Sequence, residues 1–188
     1  MSDAREAEIL PTPGQTVGPF FRFGVEYAGE NIVVQPYSPG SVLLSGTVYD
    51  GAGEVIPDAM VEIWAADSDG SVPTGEGARI RTSHLFSGFG RAQVTGAGHY
   101  EFWTRNPGPT APGKAPFFAA VVFARGLTDK LHTRIYLPDD EAALAADPFL
   151  ASLSDDERRT VIAERDAEGN LRHDIRLQGE GETVFIRF

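Results

Sequence analysis

The side chains of this sequence that could bind a metal ion or move a proton are few and far apart. Among 188 residues there is no cysteine, and the four histidines are His84, His99, His132 and His173. The lack of cysteine excludes disulfides, thiolate catalysis and zinc ribbons, and no two histidines are close enough in sequence to form a local metal motif. We expect His84, His99 and His173 to be structural, whereas His132, two residues from Arg134, could support a site without contacting its ligand.

Composition and charge limit the partners of the protein. The chain has 16 basic and 27 acidic residues and a net charge of −11, which disfavours nucleic acids and anionic membranes as partners. Its length and its 41% apolar content are typical of one globular domain. No apolar run is long enough to span a bilayer, and the N-terminal MSDAREAEILPTPGQ lacks the features of a signal peptide, so we predict a cytoplasmic protein.

The elements that must position any site are predicted to be mostly short β-strands. Apolar runs separated by turn residues predict strands at about residues 42–50, 59–66, 90–95, 98–105, 116–125, 131–137, 171–177 and 183–188. The turn TGAG predicts a hairpin between the third and fourth of these. PFFAAVVFAR at 116–125 is apolar on both faces, which predicts a central strand under a second layer. The fold is predicted to be mainly β, an antiparallel β-sandwich.

One or two short helices and an N-terminal arm complete the predicted fold. Ser154 and Glu157 form a capping box, which predicts a helix that ends at DAEGN, residues 166–170. A weaker helical stretch covers 140–150 and is broken at Pro148. The first forty residues have little periodicity, so we predict an extended arm at 1–40 that needs a surface to become ordered, and a sandwich domain at 41–188.

Two segments of the predicted sandwich carry a family pattern. They are GTVYDGAGEVIPDAMVEIWAA at 46–66 and GRAQVTGAGHYEFWTRNPGP at 90–109. The two segments resemble the body of the intradiol ring-cleaving dioxygenases, whose ferric iron, held by two tyrosinates and two histidines, opens catechols between the hydroxyls. The resemblance extends from residue 11 to the closing TVFIRF, and it implies a β-sandwich oxidoreductase of aromatic compound catabolism.

Three of the positions that hold iron in these relatives carry neither tyrosine nor histidine in this sequence. The residue after PGP, a tyrosine in the iron-holding relatives, is Thr110. KAPFFA at 114–119 places Phe117 and Ala119 where the two histidines would stand, and neither residue can donate to a metal. The adjacent rings of Phe117 and Phe118 suggest an apolar plug in a vestigial site. We therefore expect no catalytic residue and no metal site in this chain.

The resemblance is therefore to the alpha subunits of the family, and it implies ferric iron on a partner beta subunit. The expected hetero-oligomer adds both atoms of O2 to protocatechuate and yields 3-carboxy-cis,cis-muconate. In it, this chain would shape the substrate pocket, hold the beta subunit and lay its arm on that partner. The isolated chain is expected to be inactive.

The resemblance also implies substrate contacts from the arm, within PTPGQTVGPFF at 11–21. Thr16 would offer a hydroxyl, Gly18 would leave its backbone bare for a planar ring, and Pro19 would stiffen the turn. Phe20 and Phe21 would anchor the arm in apolar surface. For a sequence of this composition in general, a loosely ordered leader is the alternative.

A strand arginine is the implied partner of the substrate carboxylate. Arg134, in HTRIY, is the candidate because a guanidinium can bind both carboxylate oxygens in one plane. Arg125, in FARG, is the competing assignment. A surface ion pair with a nearby acidic residue is the alternative role for Arg134.

Two other functions fit part of the sequence. Residues 46–64 alone would suit a non-enzymatic, prealbumin-like β-sandwich binding module, but that reading leaves FWTRNPGP and the arm unexplained. A self-sufficient hydrolase or metal enzyme would need dispersed groups such as His84, His132 and Glu62, and no local arrangement supports it.

Overall fold

Two stacked β-sheets enclose the core in the computed structural model, which describes residues 12–74 and 86–187. The strands, numbered in chain order, are β1 Ser41–Tyr49, β2 Met60–Ala65, β3 Phe89–Gln93, β4 His99–Arg105, β5 Phe117–Phe123, β6 Leu131–Tyr136, β7 Glu164–Arg165, β8 Leu171–Arg172 and β9 Ile175–Arg176. The first sheet has the order β4-β1-β8-β7, with β9 also paired to β1, and the second has the order β3-β2-β5-β6. The pairs are antiparallel, except that β8 and β9 run parallel to β1.

Alternation of apolar side chains explains why these segments form a sandwich. Every second residue of β1 is buried, and the buried residues of β4 alternate in the same way. A period of two places one face of each strand in the core between the sheets. The apolar core consists of aliphatic and aromatic side chains from both sheets, among them Leu44, Ile63, Phe102, Phe118 and Ile135. The strand β5 lies between β2 and β6, as a central strand should.

The predicted hairpin at TGAG is wrong. β3 pairs with β2, whereas β4 pairs with β1 in the other sheet. Val94 and Phe102 both enter the core, but they reach it from opposite sides. The turn therefore takes the chain from one sheet to the other, with bonds from Thr95 N to His99 O and from Gly98 N to Thr95 O, both 2.8 Å.

The predicted C-terminal strands are partly wrong. The predicted strand at 171–177 is interrupted at His173, whose carbonyl accepts a 2.6 Å hydrogen bond from the Tyr100 hydroxyl. Residues 183–187 form no strand, since Thr183 N donates to Arg176 O and Ile186 N donates to His132 O. A strand needs consecutive bonds to one neighbour, and these donors go to different partners. The short β7 was not predicted.

The capping box at Ser154 is confirmed, but its helix is shorter than predicted. The helices are α1 Phe21–Val25, α2 Glu141–Ala146, α3 Pro148–Ala151 and α4 Asp155–Arg159. In α4 the Ser154 hydroxyl accepts from Glu157 N, and the Glu157 carboxylate accepts from Ser154 N. The helix ends at Arg159 with Thr160 as its C-cap, and Val161 lies in a second apolar cluster with Tyr136 and Leu150. The predicted break at Pro148 is confirmed.

Gly46 marks the closest approach between β1 and the C-terminal segment. A Cβ built on Gly46 would lie 1.8 Å from the carbonyl oxygen of His173 and 2.9 Å from the hydroxyl of Tyr100. The bond between Tyr100 and His173 therefore passes over the bare backbone of Gly46. Of the described residues, no helix is long and apolar enough to cross a membrane.

Candidate functional site

The outer face of the second sheet carries Arg134, which sequence analysis placed at a substrate carboxylate, and the residues Phe117 and Ala119 at the family's metal positions. Register puts Trp64 beside Ala119, and Ala119 beside Arg134, across β2, β5 and β6. On β5 the core-facing side chains include Phe118, so Phe117 and Ala119 belong to the outer face. The candidate site is this outer face around Ala119 and Arg134.

Arg134 is held among aromatic rings and leaves much of its guanidinium free. Its Nη1 donates a 2.9 Å hydrogen bond to the hydroxyl of Tyr136. The guanidinium carbon lies 4.4 Å from the ring centroid of Phe117 and 4.9 Å from that of Phe149, which are cation–π distances. Within residues 12–74 and 86–187, no acidic side chain forms an ion pair with Arg134. The guanidinium of Arg134 thus carries a positive charge that no described carboxylate pairs with directly.

Behind Arg134 stands a buried carboxylate. The Tyr136 hydroxyl donates to Asp147 Oδ1 over 3.3 Å, and Asp147 is fully buried. Asp147 Oδ1 also accepts from the amides of Phe149 and Leu150, at 2.9 and 3.3 Å, and its Oδ2 accepts from the amide of Ala115 at 3.1 Å. Aspartate is a preferred N-cap and proline suits the first helical turn, so Asp147 and Pro148 start α3 and fix the carboxylate.

Tyr136 keeps its proton at neutral pH. Burial raises the pKa of Tyr136 to about 12. The neutral hydroxyl can therefore donate its proton to Asp147 while its oxygen accepts from Arg134.

Arg125, the competing candidate, already has a partner. Its Nε forms an ion pair with a carboxylate oxygen of Asp58, whose side chain is mostly buried. Because Asp58 neutralises this charge, Arg125 is less suited than Arg134 to a ligand carboxylate.

The arm lies against the far end of β5. The Thr16 hydroxyl accepts a 2.9 Å hydrogen bond from the amide of Gly126, just beyond that strand. Residues 15–17 line a shallow cavity of about 320 Å³ together with Phe123 and residues 127–130. A Cβ built on Gly18 would meet nothing within 4 Å, so nothing described in this chain requires glycine there.

Of the aromatic residues after Pro19, one packs against this chain and two are exposed to solvent. The ring of Phe21 packs against that of Phe123, with centroids 5.9 Å apart. Phe20 and Phe23 are 77% and 55% exposed. Further along, residues 26–34 lie on this chain's own sandwich, where Val33 joins the core.

Thr16 and Arg134 are not brought together within the chain. Arg134 pairs with Ala119, whereas Thr16 binds beyond Phe123, at the other end of β5. Four residues of strand span about 13 Å. Thr16, Gly18 and Pro19 thus form one group, and Arg134 belongs to another.

The residues at the family's metal positions do not fit iron. Phe117 and Ala119 have no donor atoms in their side chains, and Thr110 is exposed in a turn. Among the described residues there is no group of three or more histidine, aspartate or glutamate side chains that could hold a metal ion. The predicted plug of two adjacent rings is wrong, because Phe118 points into the core and only Phe117 lies on the outer face.

The three described histidines lie in separate parts of the fold. His173 is buried with its Nε2 2.9 Å from the carbonyl of Thr160, and burial lowers the pKa of His173 below its usual value. His132 lies on β6 opposite Val121, and His99 opposite Thr47 at the start of β4. His84 lies outside the described residues.

Sequence analysis missed four residues of the site: Trp64, Tyr136, Asp147 and Phe149. Trp64 is 49% exposed beside Ala119, with its ring 4.5 Å from that of Phe89. The dipeptide Asp147-Pro148 is a helix-start signal that could have identified the buried cap. No local signal links Tyr136 or Phe149 to Arg134, because sheet and helix packing bring them together.

Comparison with known proteins gives close relatives over the whole chain. No protein-family model matches. The protocatechuate 3,4-dioxygenase alpha chain of Pseudomonas putida is 39% identical over 202 residues, covering 96% of this chain and 98% of the relative. The protocatechuate 3,4-dioxygenase alpha chain of Burkholderia cepacia is 37% identical over 194 residues, covering 95% and 98%.

Solved structures share the fold at lower identity. The dioxygenase domain of a dioxygenase and carbohydrate-binding protein fusion from Streptomyces sp. SirexAA-E aligns with a TM-score of 0.61 and 21% identity. The alignment covers 90% of this chain and 99% of that domain. The predicted β-sandwich of the intradiol type is confirmed.

Proposed function

The chain belongs to the family of protocatechuate 3,4-dioxygenase alpha chains, and we propose that it is the iron-free subunit of a cytoplasmic enzyme that cleaves protocatechuate between its hydroxyls. Both atoms of O2 enter the product, 3-carboxy-cis,cis-muconate. The observation that carries this proposal is the contrast on the outer face of the second sheet. Phe117 and Ala119, which have no donor atoms, stand at two of the metal positions, while Arg134 offers a guanidinium that forms no ion pair with any described carboxylate.

The partner beta subunit would supply the iron, and ferric iron provides the chemistry that makes a bound catecholate reactive towards O2. This chain would contribute recognition. Arg134 would bind the substrate carboxylate, and the rings of Phe117 and Phe149 beside it would exclude water from that ion pair. A charged hydrogen bond in a dry site is stronger than the same bond in water.

The arm would act on the beta subunit from another direction. Thr16, Gly18 and Pro19 lie at the opposite end of β5 from Arg134, too far to touch the same protocatechuate within this chain, so they would cover the ring of a substrate that a beta subunit holds beside the arm. The exposed rings of Phe20 and Phe23 would be buried by the partner. Large exposed aromatic side chains are common anchors of protein interfaces.

Gly18→Ala tests the arm. Since the added Cβ meets nothing within 4 Å in this chain, stability should change by no more than about 0.5 kcal/mol. If a substrate ring approaches the bare backbone, the KM for protocatechuate should rise several-fold in the assembled enzyme. The matched control is Gly24→Ala, which also meets nothing within 4 Å and lies in α1. Equal KM values for Gly18→Ala and Gly24→Ala would contradict the assignment of Gly18 to the substrate pocket.

Iron content and O2 uptake test the subunit role. The chain is purified alone and after co-expression with its candidate beta subunit, and protocatechuate-dependent O2 consumption is measured. We expect the lone chain to be free of iron and inactive, and the complex to contain iron and turn over. Stoichiometric iron and activity in the lone chain would contradict the proposal. Failure to form any complex would favour the binding module instead.

A further inference from the structure

Arg134 uses one edge of its guanidinium within the chain and leaves another edge unused. Nη1 donates to the Tyr136 hydroxyl, and no described residue accepts a hydrogen bond from Nε or Nη2 of Arg134. The Nε and Nη2 hydrogens form a planar fork that fits the two oxygens of a carboxylate. The direction of this fork depends on what fixes Nη1.

Tyr136 is itself fixed by the most completely buried acid of the candidate site. Its hydroxyl donates to Asp147, which no solvent reaches and which also accepts three backbone amides. The Tyr136 ring is stacked on that of Phe149 at 15° and lies 5.4 Å from that of Phe117. Such a side chain has little freedom to turn, so its oxygen is a stationary acceptor.

On this basis we propose that Tyr136, anchored by Asp147, is a positioning residue that aims the Nε–Nη2 edge of Arg134 at the carboxylate of an aromatic acid substrate. The inference rests on the proposed function, because it requires that Arg134 face the substrate. Tyr136 touches neither substrate nor reacting atoms. It would determine how well a carboxylated ring is distinguished from a ring without a carboxylate.

The long side chain of arginine explains why an anchor matters. Two-point binding requires both nitrogens to lie in the plane of the carboxylate, and an unrestrained arginine loses rotamer freedom when it adopts that pose. An arginine already held in position loses less on binding, which strengthens the interaction. The rings of Phe117 and Phe149 restrict the plane of the guanidinium, while Tyr136 restricts its rotation within that plane.

The test is Tyr136→Phe in the assembled alpha–beta enzyme, with two probes. One is the KM for protocatechuate, and the other is the inhibition constant of catechol, which lacks the carboxylate. We expect the KM to rise roughly 3- to 10-fold, the loss of one hydrogen bond, while kcat and the catechol constant stay unchanged. In Arg134→Met, the further change Tyr136→Phe should have no effect on the KM.

Tyr100→Phe is the matched control for a merely structural effect. It also removes a buried tyrosine hydroxyl that donates a hydrogen bond, but its partner is the carbonyl of His173, and no arginine is involved. We expect it to leave the protocatechuate KM unchanged. A rise in both the KM and the catechol constant with Tyr136→Phe would indicate general distortion and overturn the proposal.

Two results separate this inference from the proposed function. If Arg134→Met raises the KM but Tyr136→Phe does not, the positioning role is wrong while the subunit role stands. If Arg134→Met leaves the KM of an active complex unchanged, Arg134 does not bind the carboxylate and both assignments to it are wrong. The iron content of the complex still reports on the subunit role by itself.

Discussion

Arg134→Met, assembled with the beta subunit, is expected to raise the KM for protocatechuate by roughly 10- to 100-fold. A hydrogen bond to a charged group is worth about 1.5–3 kcal/mol, and about 1.4 kcal/mol corresponds to tenfold in affinity, so this range corresponds to the net loss of one such bond. Methionine keeps the apolar length that packs against Phe117 and Phe149 and removes the charge. The effect should therefore fall on substrate binding, with little change in the stability of the chain. Steady-state O2 uptake against substrate concentration measures it.

Two further variants make this result specific. Arg134→Lys keeps the charge but loses the planar fork, so its KM should lie between those of the parent and Arg134→Met. Arg125→Met is the matched control, since Asp58 already neutralises that arginine, and its KM should change less than about twofold. A larger effect at position 125 than at position 134 would reverse the assignment.

Gly46→Ala is expected to prevent the chain from folding stably. The new Cβ would lie 1.8 Å from the carbonyl oxygen of His173 and 2.6 Å from its carbon. These are backbone atoms, so relief requires β1 to separate from the segment that carries β8 and β9. Such a disruption exceeds about 4 kcal/mol, a large part of the roughly 5–15 kcal/mol that stabilises a native domain.

Soluble yield and thermal unfolding measure the effect of Gly46→Ala. Gly24→Ala is the control for the substitution itself, because its Cβ meets nothing within 4 Å and it lies inside the helix α1. There, alanine should stabilise the helix by up to about 1 kcal/mol. A Gly46→Ala chain that unfolds at the parental temperature would mean that β1 and His173 are not in contact in solution.

Local sequence patterns predicted most of the fold, and their failures share one cause. The strands β1 to β6 were predicted within two residues of their ends, because alternation and turn residues act locally. The prediction of a hairpin at TGAG was wrong because alternation indicates which residues face the core. It does not indicate which of the two sheets a strand belongs to. The strand predicted at 171–177 is interrupted at His173, whose carbonyl accepts a hydrogen bond from the distant Tyr100, and Thr47 N on β1 bonds to the Asp174 side chain.

The sequence by itself determined that Phe117 and Ala119, at two of the family's metal positions, have no side-chain donor atoms, because side-chain chemistry does not depend on folding. It also suggested Arg134 as a cation for a carboxylate. Only the tertiary structure shows that Arg125 is paired with Asp58, which favours Arg134 in our proposal, since this ion pair forms only when distant residues meet. The anchor formed by Tyr136 and Asp147 likewise exists only after β6 packs against the start of α3, which no local pattern encodes.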